Sequence, residues 1–340
     1  MNGQSTEVLA VDSLVRHFAS GPSLADRLAG RPRHVVRAVD GVDLVLHEGE
    51  TLGLVGESGC GKSTLSRCIV GLYKPTSGRL RLAGKPVTGT PSRAQRRYVQ
   101  MVFQDPYSSL NPRMTVGQTL GELLRYHKVV SAGQVAARSR ELLDLVGLPH
   151  RALEQTPRQF SGGQRQRIGI ARALAVEPKV LIADEAVSAL DVSVQANIIN
   201  LLLDLKESLG LSMIFVSHNM SVVRQVSDRT AVMYQGRIVE TGPTARLFEE
   251  PSHPYTRLLL GSVPRLITHP GASNGLARAA AAAPAAARAP SAEECRFRPR
   301  CPVAVAACAT EPRLLPADPD GLRLAACHHA VMAAPPTMAG

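Results

Sequence analysis

The sequence predicts an α/β fold built on a parallel sheet, because strand-sized apolar runs alternate along the chain with helical segments. The apolar runs lie at residues 52–55, 180–183 and 213–216. Residues 194–209 carry a helical pattern between the last two runs, which indicates a crossover helix. Strands that are joined by crossover helices run parallel, so these runs are expected to form the central sheet.

Two further segments predict the elements that surround this sheet, a β-rich edge and a helical insertion. Residues 39–55 alternate apolar and polar side chains, with glycines as punctuation, which predicts a β-rich edge subdomain. Residues 131–148 place leucines at helical spacing, and Gly147 follows as a stop signal. We therefore predict a helical insertion at about residues 105–175.

Composition bounds the class of protein. A chain of 340 residues with 44% hydrophobic residues has room for one large α/β core and a smaller module. Its apolar runs fall far short of the roughly 18 residues that a membrane helix needs, and no secretory signal is visible, so we expect a cytoplasmic location. The net charge of +11 is spread along a chain without Trp, which argues against a nucleic-acid partner.

The composition changes after Leu260. Residues 263–294 are dominated by Ala and Pro and predict a linker, so the first domain is expected to span residues 1–262. Residues 295–340 form a predicted cysteine-containing module. Four thiolates suit either Zn²⁺ or an iron–sulfur cluster, although their spacing fits neither standard motif, and four unliganded thiols are the alternative. The cysteines are Cys295, Cys301, Cys308 and Cys327.

A glycine-rich loop follows the first apolar run. Residues 56–63 match G-x-x-x-x-G-K-[ST] between a strand and a helical pattern, the context that this motif requires. The glycines let backbone N–H groups point inward and the helix dipole adds positive potential, which makes a cradle for polyphosphate. Lys62 is expected to reach the β and γ phosphates, and the Ser63 hydroxyl to ligate Mg²⁺. The predicted nucleotide-binding residues here are Gly56, Glu57, Ser58, Gly59, Cys60, Gly61, Lys62, Ser63 and Thr64.

A second candidate lies at the end of the apolar run 180–183, where Asp184 and Glu185 follow. A carboxylate at a strand end that faces the cradle can hold Mg²⁺, usually through water, which we predict for Asp184. Glu185 is then the candidate general base, which polarises the attacking water. Loop and carboxylates together predict an enzyme that binds and hydrolyses ATP.

A third motif carries a family resemblance. Residues 160–167 read Phe-Ser-Gly-Gly-Gln-Arg-Gln-Arg, open a helical pattern and resemble the signature of ABC-type ATPases, a branch of the P-loop NTPases. In that family two nucleotide-binding domains sandwich two ATP molecules, and each signature helix points its N-terminus at the γ-phosphate held by the partner. The resemblance implies that the nucleotide of a second subunit is bound by Ser161, Gly162, Gly163 and Gln164.

Single residues match the other motifs of that family in order along the chain. The resemblance implies that Gln104 senses the γ-phosphate and binds Mg²⁺, and that His218 contacts the γ-phosphate. It places Asp191 in the segment that crosses the dimer interface and Phe18 against adenine. Each match is weak evidence alone, but their joint order is strong.

The chain is similar to the dipeptide and oligopeptide importer branch in residues 103–113, in residues 253–257 and in its cysteine tail. Residues 161–172 resemble the second of the two non-identical ATPase subunits of that branch. The resemblance implies a heterodimer with the other ATPase subunit, two membrane-spanning permease subunits and an external peptide-binding protein. It also implies a peripheral position on the cytoplasmic face of the inner membrane, and favours a [4Fe–4S] cluster over zinc.

Two other functions compete with this interpretation. Soluble ABC-type ATPases that act on ribosomes or DNA usually carry two cassettes, or a long coiled coil between the halves of one. This chain has one motif set, and the distance between loop and signature suits a short helical insertion. A simple P-loop kinase is disfavoured by the signature and the histidine. The transported solute stays open, since a dipeptide, a longer peptide, nickel or another small solute would fit.

Overall fold

A computed structural model of the chain describes residues 6–19, 35–105, 110–188, 190–261 and 293–332. The predicted linker at residues 263–294 lies almost entirely outside them. The chain divides into two compact units, each built from three stretches of sequence. The first unit consists of Met1–Arg16, Asp43–Thr51 and Ser63–Val216, and the second of His17–Val42, Leu52–Lys62 and Ser217–Gly340.

The strands include all three predicted apolar runs, each extended by one or two residues and buried along its whole length. Buried apolar runs of this length are typical of strands at the centre of a core. In chain order the strands are β1 (Glu7–Ala19), β2 (Val35–His47), β3 (Thr51–Val55), β4 (Ser77–Leu82), β5 (Lys85–Pro86), β6 (Val99–Val102), β7 (Val180–Asp184), β8 (Ser212–Ser217), β9 (Arg229–Tyr234), β10 (Arg237–Pro243), β11 (Leu315–Pro316) and β12 (Leu324–Ala325).

Two helices illustrate the expected capping chemistry. The helix at Val116–Tyr126 begins after Thr115, whose hydroxyl accepts the Gln118 N–H at 3.2 Å. Gly210 ends the helix at Val192–Leu209 with a left-handed φ of 60°. In chain order the helices are α1 (Lys62–Ile69), α2 (Arg93–Tyr98), α3 (Val116–Tyr126), α4 (Val135–Leu145), α5 (Gly162–Leu174), α6 (Val192–Leu209), α7 (Met220–Val226), α8 (Thr244–Glu249), α9 (Pro254–Gly261) and α10 (His328–Met332).

The first unit contains antiparallel edge strands and three parallel strands. Residues 9–15 of β1 pair antiparallel with β4, which pairs antiparallel with β5, and Leu9 lies opposite Leu82. Strand β7 pairs in parallel with β6 on one side and with β8 on the other. The parallel arrangement brings the carboxyl ends of these strands to one edge, which is where ligands bind in sheets of this kind.

Helices α3 and α4 lie in the region that we predict to be the helical insertion. They pack against each other and against α5, and the side chains of Leu120, Leu124, Leu142 and Leu143 are completely buried. Burial of a leucine side chain contributes about 1.5–3 kcal/mol. This apolar packing holds the N-terminus of α5, which carries the signature residues, in a fixed position.

The second unit contains strands in the order β11-β12-β10-β9-β3. Strand β3 pairs in parallel with β9, and β9 forms an antiparallel hairpin with β10. Strand β12, which belongs to the cysteine-containing module, pairs antiparallel with β10 and brings Ala325 opposite Glu240. The module therefore shares backbone hydrogen bonds with the strands of the second unit.

None of the helices within the described part of the chain is both long and apolar enough to cross a membrane.

Candidate functional site

The predicted phosphate loop lies in the second unit between β3 and α1. Gly56 and Gly61 have φ values of 154° and 112°, in the range that glycine tolerates best. A Cβ atom at Gly56 would lie 2.2 Å from the Met233 carbonyl oxygen, and one at Gly61 would lie 2.0 Å from the Ala38 carbonyl oxygen. Both positions therefore exclude every other residue, for steric as well as conformational reasons.

The side chain of Lys62 turns into the concave side of this loop. Its Nζ donates hydrogen bonds to the carbonyl oxygens of Gly56 at 2.8 Å and Glu57 at 3.0 Å, and the residue is 2% exposed. The sulfur of Cys60 lies 3.8 Å from the same Nζ, and burial raises the pKa of its thiol. The loop therefore presents one buried ammonium group beside an uncharged thiol.

Two predicted magnesium ligands meet in the first unit. The Ser63 hydroxyl donates to Oδ1 of Asp184 at 3.0 Å, and Asp184 is a buried residue at the end of β7. Hydroxyl and carboxylate oxygens are the ligands that Mg²⁺ prefers in proteins, so the donor set fits this ion. A partner for the buried carboxylate is also required in itself, because an isolated buried charge is costly.

Glu185 occupies a strained backbone position directly after β7. Its φ of 47° is left-handed, which costs a residue other than glycine about 1–2 kcal/mol. The conformation is held because the Glu185 N–H donates to the Val216 carbonyl at 3.0 Å, while its own carbonyl accepts the Ser188 hydroxyl at 3.0 Å. Backbone strain of this kind clusters at active sites, and in the described residues it also occurs elsewhere, for example at Ser13 in β1.

Gln104 joins the same group of residues in the first unit. Its Nε2 lies 3.4 Å from Oγ of Ser188, the residue that also bonds to Glu185. The structure therefore brings together Ser63 with Asp184, and Gln104 with the loop that carries Glu185. Gln104, Asp184 and Glu185 lie at the carboxyl ends of β6 and β7, and Ser63 lies in the first turn of α1.

The predicted signature forms the exposed N-terminus of α5. The Ser161 hydroxyl accepts the Gln164 N–H at 3.3 Å, and Gln164 Oε1 accepts the Ser161 N–H at 3.0 Å, which makes a capping box. Gly163 packs so closely on α6 that a Cβ would lie 2.5 Å from Val194 Cγ1. Ser161, Gly162 and Gln164 are exposed, so this helix end is available to another molecule.

The predicted interface residue Asp191 caps α6 by position, without a hydrogen bond from its side chain to the helix. It is exposed, and the next residue, Val192, is 85% exposed. The segment predicted to cross the dimer interface with Asp191 comprises residues 188–191, and Ala189 in it lies outside the described residues.

The remaining predicted nucleotide contacts are distributed over both units. Thr64 follows Ser63 in α1 of the first unit, where it is half-buried. Phe18 lies half-buried near the end of β1, and His218 is exposed directly after β8, both in the second unit.

The four tail cysteines lie close to one another, but not in a metal-binding arrangement. Burial raises the pKa of Cys301, and the thiols of Cys327 and Cys308 raise it further. Burial also raises the pKa of Cys295, to about 11, and its N–H donates to the Cys308 carbonyl at 3.1 Å. Burial therefore favours the neutral thiol at Cys295, Cys301 and Cys327.

This geometry does not support the predicted metal centre. Across residues 6–19, 35–105, 110–188, 190–261 and 293–332, no group of three or more His, Cys, Asp or Glu side chains could hold a metal ion. His328 and His329 each approach a backbone carbonyl, that of Thr310 at 3.1 Å and that of Val303 at 2.6 Å. Four sulfurs supply a suitable donor set, but proximity alone does not supply the arrangement that a metal requires.

Sequence reasoning missed the residues that contact Glu57. Arg300 forms two hydrogen bonds with the Glu57 carboxylate, and the Tyr255 hydroxyl accepts the Glu57 N–H at 2.8 Å. Arg300 lies 243 positions from Glu57. No local motif signals such a pair, because it depends on how the C-terminal module, the cysteine-containing segment at residues 295–340, packs.

Comparison with known proteins places this fold and site. Residues 39–188 match the ABC transporter family, and residues 239–308 match the C-terminal region of oligopeptide/dipeptide transporters. The chain is 48% identical over 283 residues to the oligopeptide transport ATP-binding protein OppF of Escherichia coli K12, covering 82% of this chain and 84% of the relative. It is 44% identical over 327 residues to the di/tripeptide transport ATP-binding protein DppF of Pseudomonas aeruginosa, covering 95% and 98%.

Solved structures of ABC ATP-binding proteins also resemble this chain. A dimeric ATP-binding cassette with bound ADP and phosphate superimposes with a TM-score of 0.60 and 28% identity, over 69% of this chain and 98% of the other. The cbiO1 protein of the cbiONQ ABC transporter complex from Clostridium perfringens gives a TM-score of 0.59 and 28% identity, over 72% of this chain and 92% of the other.

The fold, the phosphate loop and the acidic strand end define a P-loop ATPase of the ABC class. Two relatives that are 48% and 44% identical, over 82% and 95% of this chain, identify the branch of the ABC class to which it belongs. The chain belongs to the ATP-binding subunits of the ABC peptide importer family. The predicted α/β P-loop fold, the ATPase class and the importer branch are confirmed, and the predicted likeness to the second ATPase subunit agrees with the relatives named OppF and DppF.

Proposed function

We propose that this chain hydrolyses ATP on the cytoplasmic face of the inner membrane to drive peptide uptake through separate permease subunits. The observation that carries this proposal is the relationship to peptide transport subunits along nearly the whole chain, including the C-terminal region. Peptides, as opposed to another small solute, are proposed because of these relatives. The residues that select the solute are expected in the permease and in an external binding protein.

The phosphate loop is proposed to bind the β and γ phosphates of ATP. Lys62 would exchange the carbonyl oxygens of Gly56 and Glu57 for charged phosphate oxygens, and charge-assisted hydrogen bonds are stronger than neutral ones. Backbone N–H groups of residues 56–64 would complete the cradle. Ser63 and Asp184 would hold Mg²⁺, which neutralises charge on the phosphates.

Hydrolysis is proposed to depend on Glu185, which orients a water molecule for attack on the γ-phosphate and accepts its proton. The strained backbone and the two hydrogen bonds described above support this role, because they fix where the carboxylate begins. Gln104 and His218 are proposed to contact the γ-phosphate, with Gln104 also on Mg²⁺, and Phe18 to stack on adenine. These three roles follow from the family resemblance.

The exposed end of α5 is proposed to act on a nucleotide that a second ATPase subunit holds. Ser161, with the N–H groups of Gly162 and Gly163, would donate to its γ-phosphate at the positive end of the helix dipole. Asp191 and Val192 would lie in the same interface. We propose a heterodimer, in keeping with the likeness to one of two non-identical subunits.

The proposed assembly also contains two membrane-spanning permease subunits and an external peptide-binding protein, and no nucleic acid. Part of the segment proposed to contact the permease, residues 105–113, lies outside the described residues. Within the chain we propose a nucleotide-binding domain at residues 1–262, including the helical insertion, a linker at 263–294 and a cysteine-containing module at 295–340.

Purification from detergent-solubilised membranes distinguishes this function from its rival. The full-length chain, tagged in its native host, is expected to co-purify with two polytopic membrane proteins and a second ATPase, in near-equal amounts. A soluble ABC-type ATPase of ribosomes or DNA would instead follow ribosomal or nucleoid proteins and leave the membrane fraction. Recovery with ribosomes in place of membrane proteins would overturn the proposal.

A [4Fe–4S] cluster at the tail cysteines stays a prediction, since only the resemblance and the four thiol ligands support it. Loading would require the thiols to lose their protons and to rearrange. Metal analysis and the visible spectrum of anaerobically purified protein test it. Absorption near ~400 nm with about four irons per chain would support the cluster. Stoichiometric zinc without that absorption would identify a zinc site, and the absence of both metals would leave four thiols.

A matched pair of variants locates any metal that is found. Cys308→Ala is expected to abolish metal content, because the Cys308 thiol is near enough to Cys295, Cys301 and Cys327 to raise the pKa of each. Cys68→Ala removes a buried cysteine of α1 and is expected to leave the metal content unchanged.

A further inference from the structure

We propose that Arg300 of the C-terminal module is a positioning residue for the phosphate loop, which it holds in its nucleotide-binding conformation by pairing with Glu57. The inference rests on the proposed function of this loop as the ATP site. It assigns the C-terminal module a direct part in nucleotide affinity.

The pair has the geometry of a strong ion pair. Nη1 of Arg300 lies 2.9 Å from Oε2 of Glu57, and Nη2 lies 2.9 Å from Oε1. Two parallel hydrogen bonds between a guanidinium and a carboxylate fix the orientation of both groups. The guanidinium also lies over the rings of Tyr234 and Phe297, at 5.9 Å and 5.8 Å from their centroids. The guanidinium of Arg300 therefore lies against two aromatic rings as well as hydrogen-bonding to Glu57.

A second contact holds the backbone of the same loop residue. The Tyr255 hydroxyl accepts the Glu57 N–H at 2.8 Å, and Tyr255 is completely buried against Tyr234 and Phe297, with ring centroids 4.5 Å and 5.6 Å away. Phe297 belongs to the C-terminal module and is 1% exposed. Both contacts to Glu57 therefore depend on one aromatic cluster to which the module contributes a ring.

The C-terminal module also contacts the rest of the second unit at further points. Arg296 hydrogen-bonds to the Asp40 carboxylate and to the Gln235 carbonyl. Strand β12 pairs with β10, in which the buried Glu240 accepts the N–H groups of Ser252 and His253 just before α9, the helix that carries Tyr255. The anchoring makes Arg300 part of a fixed frame and distinguishes it from a mobile surface arginine.

The consequence for nucleotide binding is electrostatic. Glu57 carries a negative charge in a loop that must accept a polyphosphate anion, and an unpaired carboxylate there would repel it. Arg300 cancels this charge and restrains the residue whose carbonyl accepts the Lys62 ammonium. Since the pair acts on the loop and not on the bond that breaks, its loss is expected to raise the Kd for ATP and leave kcat at saturating ATP nearly unchanged.

The inference is tested by measuring the Kd for Mg–ATP of the full-length chain by isothermal titration calorimetry. Arg300→Ala is expected to raise the Kd about fivefold at low salt, the effect of about 1 kcal/mol. The difference is expected to shrink as ionic strength rises, because both groups are partly exposed. Arg300→Lys keeps the charge without the two parallel hydrogen bonds, so its Kd is expected to lie between those of the natural chain and Arg300→Ala.

Matched variants separate charge pairing from general damage. Arg298→Ala removes an arginine from the same 3₁₀ turn, Arg298–Arg300, and this arginine pairs with Glu294 at 2.9 Å. This variant is expected to leave the Kd unchanged. Glu57→Gln combined with Arg300→Ala is expected to restore the Kd to within about twofold of Glu57→Gln alone, because no unpaired charge remains. If Arg300→Ala does not fold, Arg300→Gln, which keeps a three-carbon stem and an N–H donor but no charge, replaces it.

Each result distinguishes the inference from the proposed function. Absence of ATP binding by the natural chain, or normal binding by Lys62→Ala, would contradict the loop as the ATP site. Loss of binding in Lys62→Ala together with an unchanged Kd in Arg300→Ala would overturn the inference alone. A weakened Arg300→Ala that Glu57→Gln fails to restore would also overturn it, because the arginine would then act through packing and not through Glu57.

Discussion

Replacement of Glu185 by Gln is expected to abolish ATP turnover and leave ATP binding intact. The amide keeps the size of the side chain but cannot accept a proton, and loss of a general base lowers the rate by about 10²–10⁴. The backbone hydrogen bonds that hold residue 185 do not involve its side chain, so the local structure should persist. Phosphate release by the assembled complex and Mg–ATP affinity of the variant are the measurements.

Two further variants control this experiment. Glu207→Gln changes an exposed glutamate of α6 and is expected to retain the natural rate. Lys62→Ala removes the buried ammonium of the phosphate loop and is expected to lose ATP binding itself. Hydrolysis at the natural rate by Glu185→Gln, in complex with its partners, would show that the assignment of Glu185 is wrong.

Replacement of Ser161 by Arg is expected to remove hydrolysis at the nucleotide site of the partner subunit. The signature helix would lose a hydroxyl donor and gain bulk at an exposed terminus that must approach a γ-phosphate. Removal of one donor from such a site costs about 10²–10³ in rate. ATP bound at Lys62 of the same chain is expected to remain, because that loop belongs to the other unit. Photocrosslinking of labelled ATP to each subunit, beside phosphate release, separates the two sites.

Ser92→Arg is the matched control, because Ser92 caps α2 with the same capping box and is also exposed. Loss of a cap costs each helix about 1 kcal/mol, so a difference between the two variants reports on the phosphate and not on helix stability.

A nucleotide site that two subunits form together also predicts that the isolated chain is a poor ATPase. Full activity from a verified monomer at low concentration would contradict it.

Features that depend on neighbouring residues could be predicted from the sequence. The three apolar runs form strands because each carries a continuous buried surface, and the phosphate loop is specified by glycines that no other residue can replace sterically. The signature begins a helix at Ser161 because the capping box is a local signal.

Features that depend on long-range packing could not be predicted in this way. Strand β1 was not anticipated, since residues 8–11 are buried in succession, without the alternation that marks an edge strand, and a bulge follows at Ser13 with a φ of 44°. The Arg300–Glu57 pair joins residues that only the docking of the module brings together. The cysteine pattern predicts a donor set, but ligand geometry is a property of the fold, and here the described residues do not provide it.

ATP-driven uptake of a labelled peptide mixture into right-side-out membrane vesicles, which enclose the cytoplasmic face and are therefore loaded with Mg–ATP, tests the proposed function most directly. Vesicles from cells that carry the natural chain are expected to accumulate peptide, whereas vesicles with Glu185→Gln are expected to bind ATP and accumulate none. Equal accumulation by both, or none by either in the presence of the permease and binding protein, would contradict a role for this chain as the ATPase that drives peptide import.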